Sequence, residues 1–223
     1  MYKNPYDKLK PSIRRPYTEI YLVRHCHPDY KLEKKLGEYN MPLSEAGKKQ
    51  RRYLTATLFK LGLDKIYASG LPRAQESAVT LVSKTKLELN IEERLDEINW
   101  KNWHRIKYFN VSEENRREKF VLHRELDSRL DNFQAEARRT LAAIWRKNKN
   151  KKIALFTHGN FIKSLLTGIM NTDVIGFLSL EIFQSSVTKL VIDRDGYIKI
   201  NYINNVSHLP QQPTEDLFIT LLD

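Results

Sequence analysis

Ile20-Tyr21-Leu22-Val23-Arg24-His25-Cys26-His27 is the stretch on which the reading of this chain turns. Residues 20–23 are apolar, and two of them are β-branched, so they predict a short buried strand. A basic pair, Arg24-His25, follows where that strand should end. In an open α/β sheet ligands bind just beyond the carboxyl ends of the strands, which makes both residues candidates for chemistry. A guanidinium is a permanently charged fork of donors for phosphate or carboxylate. A neighbouring imidazole can act as a nucleophile or carry a proton near neutral pH. One such pair is common on protein surfaces, so its meaning depends on what the rest of the chain brings to it.

Outward from this strand, residues 28–41 are charged and broken by Pro28 and Gly37, and they predict a loop. Pro42-Leu43-Ser44-Glu45-Ala46-Gly47 opens a helix with Ser44 as N-cap. Ala46, Gln50, Leu54, Leu58 and Leu61 continue it at helical spacing until Gly62. A second strand over 63–68 runs into Ser69-Gly70, a second helix over 71–83, and a third strand over 86–91. Residues 95–110 hold Trp100 and Trp103 with little periodicity and predict a structured loop; residues 111–131 are densely charged and read as helical. Phe133, Ala137, Leu141 and Ile144 mark an amphipathic helix that closes in the basic run Arg146–Lys152. Ile153–Thr157 is a strongly apolar strand ending at His158-Gly159, followed by a helix carrying Phe161, Ile162, Leu165, Leu166 and Ile169. Two strands over 187–193 and 197–203 meet at Asp195-Gly196, a hairpin signal.

Strand alternating with helix predicts an α/β fold in three layers, a doubly wound, mostly parallel sheet flanked by helices with a small helical insertion. Without an internal repeat or separating linker, residues 1–223 read as one domain, with 1–17 as an N-terminal arm and 105–131 as the insertion. In that fold the strand ends deliver Arg24, His25 and His158 to one edge. Arg73, in the first turn of the helix after Ser69-Gly70-Leu71-Pro72, joins them where backbone N–H groups already favour an anion. Two arginines, two histidines and a helix N-terminus describe a phosphate site. No acidic cluster accompanies them, so neither a metal nor another cofactor is expected. His25-Cys26-His27, with Asp29 nearby, forms a poor tetrahedral site because side chains on an extended segment alternate.

The net charge of +11 favours acidic partners without choosing among them. The basic run Arg146–Lys152 lacks interleaved aromatic residues, so it reads as a solvated helix end rather than a nucleic-acid surface. A single cysteine, Cys26, leaves no internal disulfide and fits a reducing compartment. Residues 1–16 are polar, basic and contain three prolines, unlike a secretory leader, and no apolar run is long enough to cross a bilayer. A cytoplasmic protein with no membrane partner is expected.

At this point the sequence resembles the histidine phosphatase superfamily, which includes the cofactor-dependent phosphoglycerate mutases. Leu22-Val23-Arg24-His25 is similar to its strand-terminal Arg-His-Gly signature, and residues 42–47 to the helix start that follows. Ser69-Gly70-Leu71-Pro72-Arg73-Ala74-Gln75-Glu76-Ser77-Ala78 resembles its Ser-x-Leu-x-Arg-Ala-x-x-Thr-Ala block. Leu95-Asp96-Glu97 resembles the segment carrying the family's acid, Phe156-Thr157-His158-Gly159 the second-histidine block, and residues 205–209 a C-terminal element. The blocks stand in the family's order from about residue 20 to 209.

The resemblance implies that His25 attacks phosphorus and becomes phosphohistidine. By the same analogy Arg24, Arg73 and His158 hold the phosphoryl oxygens, with His158 part of the catalytic set. Glu97 would serve as acid and then base, although Asp96, Glu92 and Glu93 lie close enough to be alternatives. The substrate implied is a small phosphorylated molecule, hydrolysed without a metal; a phosphoglycerate mutase and a non-catalytic phosphate- or nucleic-acid-binding descendant are the rival readings. The chain is short for a mutase. It also departs from the pattern: Cys26 replaces the glycine after the nucleophile, Lys101 and His104 stand where glycines follow the acid, Asn160 replaces a small residue, and no Gly-Glu-Ser element lies between Glu113 and Asp131. Cys26 reads as a small buried filler, with redox control of the pocket as the sharper alternative. His208 is expected to orient the C-terminal segment, and Trp100, Trp103, Tyr108 and Phe109 to form core beneath the insertion or a wall of the site.

Overall fold

The computed structural model describes residues 14–98 and 124–211. Their sheet has six strands: β1 (Tyr17–Arg24), β2 (Lys65–Ala68), β3 (Leu89–Ile91), β4 (Lys152–Thr157), β5 (Val187–Asp193) and β6 (Ile198–Asn205), in the order β3-β2-β4-β1-β5-β6. The pairings β3–β2, β2–β4 and β4–β1 are parallel, whereas β5 runs antiparallel to both β1 and β6. The expected mostly parallel α/β sheet is thus present, with β5 alone reversed. The helices are α1 (Glu33–Leu36), α2 (Glu45–Phe59), α3 (Pro72–Thr85), α4 (Arg124–Lys147), α5 (Gly159–Met170) and α6 (Val174–Ser179).

Alternation along β1 and β4 builds the three layers, because successive strand side chains point to opposite faces. Ile20, Leu22, Ile153 and Leu155 pack with Ala137, Leu141 and Ile144 of α4 and Phe161, Ile162, Leu165 and Leu166 of α5. Tyr21, Val23, Ala154 and Phe156 face the other way, against Leu54 and Leu58 of α2 and Ala74, Ala78 and Leu81 of α3. Both sets are buried, which is why these strands read as unbroken apolar runs instead of alternating ones.

Several boundaries differ from the sequence reading, each for a physical reason. Residues 28–41 are not a plain loop: 3₁₀ turns at Tyr30–Leu32 and Glu38–Asn40 flank α1. Pieces this short carry no periodicity that a sequence reveals. β1 begins three residues earlier than its apolar run, since Tyr17, Thr18 and Glu19 pair with Asp193, Ile192 and Val191. The third strand is shorter than expected, because Lys86 adopts a left-handed C-cap conformation (φ 57°) after α3. Residues 124–131, grouped in the sequence with the insertion, are continuous with α4; Leu130 is buried beside Val174 and Phe177 of α6. α6 was not anticipated. The remainder of the 105–131 segment, and with it Trp100, Trp103, Tyr108 and Phe109, lies outside the described residues, as do 1–13 of the arm.

Ser44 caps α2 as expected: its Oγ accepts from Gly47 N at 3.1 Å. Gly47 is required for a different reason. A Cβ there would sit 2.1 Å from the carbonyl oxygen of His27, two residues beyond His25. Backbone must move to admit a side chain, so Gly47→Ala is expected to destabilise the fold by about 1–3 kcal/mol, read as a lowered denaturation midpoint.

Candidate active site

The carboxyl ends of three neighbouring parallel strands assemble the site. Arg24 ends β1 in register with Thr157 of β4, and His25 N donates to Thr157 O at 2.9 Å. Ser69, just past β2, donates through its N–H to Phe156 O at 3.0 Å. Arg24-His25, Thr157-His158 and Ser69-Gly70 therefore emerge side by side at the edge where α/β sheets bind ligands. Pro72 at the start of α3 fixes the entry of that helix and places Arg73 in its first turn.

His25 is buried, and its tautomer follows from its contacts. Nδ1 lies 2.7 Å from the carbonyl oxygen of Cys26, so Nδ1 carries the proton and donates it. Nε2 is left with its lone pair, which accepts from Arg73 Nε at 3.3 Å. Burial, and next the charges of Arg24 and Arg73, hold His25 well below the usual imidazole range. A neutral imidazole with one free lone pair is the form a nucleophile needs. Ser77 of α3 fixes this loop, since its Oγ donates to Arg73 O at 2.7 Å and accepts from Cys26 N at 2.8 Å.

The guanidiniums are held from behind. Arg73 Nη1 donates to Glu38 O at 2.9 Å, and Arg24 Nη1 donates to Ile182 O. Arg24 Nε is buried with no partner among the described residues. Gly159 makes room for this group: a Cβ at 159 would stand 3.3 Å from Arg24 Nε.

Glu97 Oε1 accepts from the backbone N–H groups of Ile98 at 3.0 Å and Asn160 at 3.1 Å. Burial raises its carboxyl above the usual range, against the opposing pull of Arg24, Arg73 and those two N–H groups. Two of the competing carboxylates are engaged elsewhere. Glu92 pairs with Arg94, and Asp96 accepts from Gly70 N at 2.6 Å. Burial also raises Asp96, but only Glu97 of the four faces the same cavity as His25.

That cavity, of about 200 Å³, is lined by Arg24, His25, Arg73 and Glu97. His158 is fully buried beside it, its ring centroid 5.1 Å from that of His25, but it is not among the lining residues. His158 Nε2 is 2.6 Å from Ser69 Oγ, and its Nδ1 has no partner among the described residues. Burial first, then His25 and the two arginines, holds it well below the usual imidazole range. The outer wall was missed in the sequence: Tyr30, Glu33, Glu38 and Met41 come from the short turns after β1, Lys163 from α5, and Glu181 and Ile182 from the segment before β5. Lys163 is buried, with Nζ 4.9 Å from the Phe177 ring centre. Spacing of i, i+3 with Asn160 was the one signal that could have placed Lys163 on the cavity side of α5.

Cys26 is fully buried, and burial pushes its thiol up to about 12. A neutral, inaccessible thiol fits the filler reading and speaks against redox control. His27 turns to Ser44, with Nδ1 2.8 Å from Ser44 Oγ, and meets the Tyr30 ring edge-on. His208 Nε2 lies 2.7 Å from Ser185 Oγ, while Ser185 N donates to the carbonyls of Arg24 and His25. Through Ser185 the C-terminal segment braces the loop that carries His25. Burial lowers His208 to about 4, so it stays neutral there.

A small cavity at the strand ends of a mostly parallel sheet thus brings together a buried histidine, two guanidiniums and a buried carboxyl, a set of groups suited to a phosphoryl oxyanion. The chain belongs to the histidine phosphatase superfamily (branch 1), whose profile matches residues 20–205. Phosphoglycerate mutase-like protein 4 of Arabidopsis thaliana is 29% identical over 160 residues, covering 67% of this chain and 70% of that protein. Phosphoserine phosphatase 1 of Hydrogenobacter thermophilus is 33% identical over 87 residues, 39% of this chain and 41% of that one. Among solved structures, YhfR of Bacillus stearothermophilus superposes with a TM-score of 0.69 at 24% identity, covering 86% of this chain and 98% of that chain. A mutant phosphoserine phosphatase from Entamoeba histolytica, solved with phosphoserine, gives 0.67 at 22% identity over 86% and 99%. At these identities the two structures share the fold.

Proposed function

We propose that this protein is a phosphatase that hydrolyses a small phosphomonoester through a phosphohistidine at His25, without a metal. The observation that carries this reading is the His25 geometry: the Nδ1 proton is committed to Cys26 O, which leaves the Nε2 lone pair beside Arg73 and the cavity. In the first step an Nε2–P bond forms and the P–O bond to the alcohol breaks, while Glu97 gives its proton to the departing oxygen. In the second, water attacks phosphorus, Glu97 takes back a proton, and the N–P bond breaks to free phosphate and neutral His25. Arg24 and Arg73 balance the charge on the equatorial oxygens, a task performed elsewhere by a metal ion. By the family analogy His158, its Nε2 2.6 Å from Ser69 Oγ, joins Arg24 and Arg73 in holding the phosphoryl group. A lone, buried thiol supports a reducing, cytoplasmic setting, which the location of a tagged chain tests.

Hydrolysis of para-nitrophenyl phosphate in excess EDTA tests the metal-free claim. The rate is expected to survive chelation; loss of activity that added metal restores would overturn it. The likeness to a phosphoglycerate mutase-like protein supports a second reading, in which the alcohol stays bound and is rephosphorylated. Activity that appears only with a bisphosphoglycerate primer would favour that reading.

A further inference from the structure

The cavity wall beyond the phosphoryl site carries its own charge pattern. Three cations line the cavity, Arg24, Arg73 and Lys163, and besides Glu97 so do three carboxylates, Glu33, Glu38 and Glu181. A bound phosphoryl group at His25 engages the two arginines. Glu97, in its acid form, is neutral while the ester binds and becomes a carboxylate only as it protonates the leaving oxygen. Beyond the phosphoryl group the described wall therefore carries three carboxylates and one ammonium, that of Lys163, which is buried against the Phe177 ring. Glu33 and Glu38 are exposed at the mouth; Glu181 is half-buried, its Oε1 accepting from Ile182 N at 3.2 Å.

We infer that the alcohol released here carries an ammonium group, so that the substrates are phosphomonoesters of small amino alcohols in preference to phosphorylated hydroxy acids. The inference rests on the phosphatase reading of the same cavity. A carboxylate on the leaving group would stand among Glu33, Glu38 and Glu181 and be repelled, which is discrimination through an unfavourable contact. An ammonium would be attracted by the same three groups, most strongly by Glu181, which is half-buried and the least screened by solvent. At about 200 Å³ the cavity falls below the range of drug-sized ligand sites, about 300–1,000 Å³, so the alcohol is short.

The test is a ranking of kcat/KM for O-phosphoethanolamine, O-phosphoserine and 3-phosphoglycerate on the wild-type enzyme, with para-nitrophenyl phosphate as the uncharged reference. Phosphoethanolamine is expected to exceed 3-phosphoglycerate by about tenfold or more, with phosphoserine, which carries both charges, between them. High salt should narrow the gap. So should the combined variant Glu33→Gln, Glu38→Gln, Glu181→Gln; the salt series on the native enzyme keeps the test intact if that variant folds poorly. Hydrolysis of the aryl ester together with equal or better use of 3-phosphoglycerate would overturn the inference and leave the phosphatase reading standing. Failure to hydrolyse any of the four, with no phosphate on His25, would overturn both.

Discussion

Replacing His25 with alanine is expected to abolish phosphorylation of the enzyme and to lower phosphomonoester turnover by several orders of magnitude. Among the described residues neither neighbouring nucleophile is placed to replace it. His158 lies 5.1 Å away, ring to ring, but is not on the cavity wall, and Cys26 is buried with its thiol pushed up to about 12. The guanidiniums stay protonated and are not nucleophiles, and Glu97 is proposed as the acid. The substitution leaves Arg73 Nε without its acceptor, which costs about 1–3 kcal/mol. A thermal midpoint measured beside the kinetics separates that loss from the loss of chemistry. Phosphate binding should survive in the variant because Arg24 and Arg73 remain. A His25→Ala enzyme with a near-native rate would remove the foundation of the proposed mechanism.

Glu97→Gln is the second substitution with a large expected effect, and its signature is in the pH profile. His25 must be neutral to attack, and its value is held well below 6.5, so activity should persist as pH falls through the ordinary histidine range. Glu97 must be protonated to release the alcohol. Burial raises it above 4.5, so the rate of the first step should decline as pH rises through that elevated value. Glutamine removes the titrating group. The alkaline decline due to Glu97 should vanish, and turnover of an alkyl phosphomonoester should fall by about 10²–10⁴-fold. Para-nitrophenyl phosphate, whose leaving oxygen needs little protonation, should lose far less. Equal losses on both substrates, or an unchanged alkaline limb, would assign the acid to another carboxylate.

The inner half of the site was legible in the sequence because the fold itself delivers it. Arg24-His25 and His158 end apolar runs whose carboxyl ends meet in any parallel sheet of this order, and Arg73 opens a helix marked by proline. The resemblance singled out Glu97 among four neighbouring carboxylates, and the structure adds the contacts that separate them: Glu92 is bound to Arg94, Asp96 is held by Gly70 N, and of the four Glu97 alone lines the cavity. The outer wall was not legible. Glu33 and Glu38 sit in and beside a four-residue helix and 3₁₀ turns that propensity does not specify, and the position of those turns depends on Arg73 donating to Glu38 O. α6 has six residues and owes its place to burial of Val174 and Phe177 against Leu130, a contact across more than forty residues of chain. Lys163 was not singled out in the sequence; the packing of α5 places it on the cavity side.

The most direct test is to trap the intermediate and locate the phosphate. Wild-type enzyme would be mixed with excess phosphomonoester in EDTA, quenched in base, and its peptides and phosphorus resonances examined. An acid-labile phosphoryl group is expected on His25, bonded to Nε2 because Nδ1 holds its proton toward Cys26 O. Phosphate on Nδ1 of His25, phosphate on any other residue, or turnover with no phosphoenzyme at any time would contradict the account.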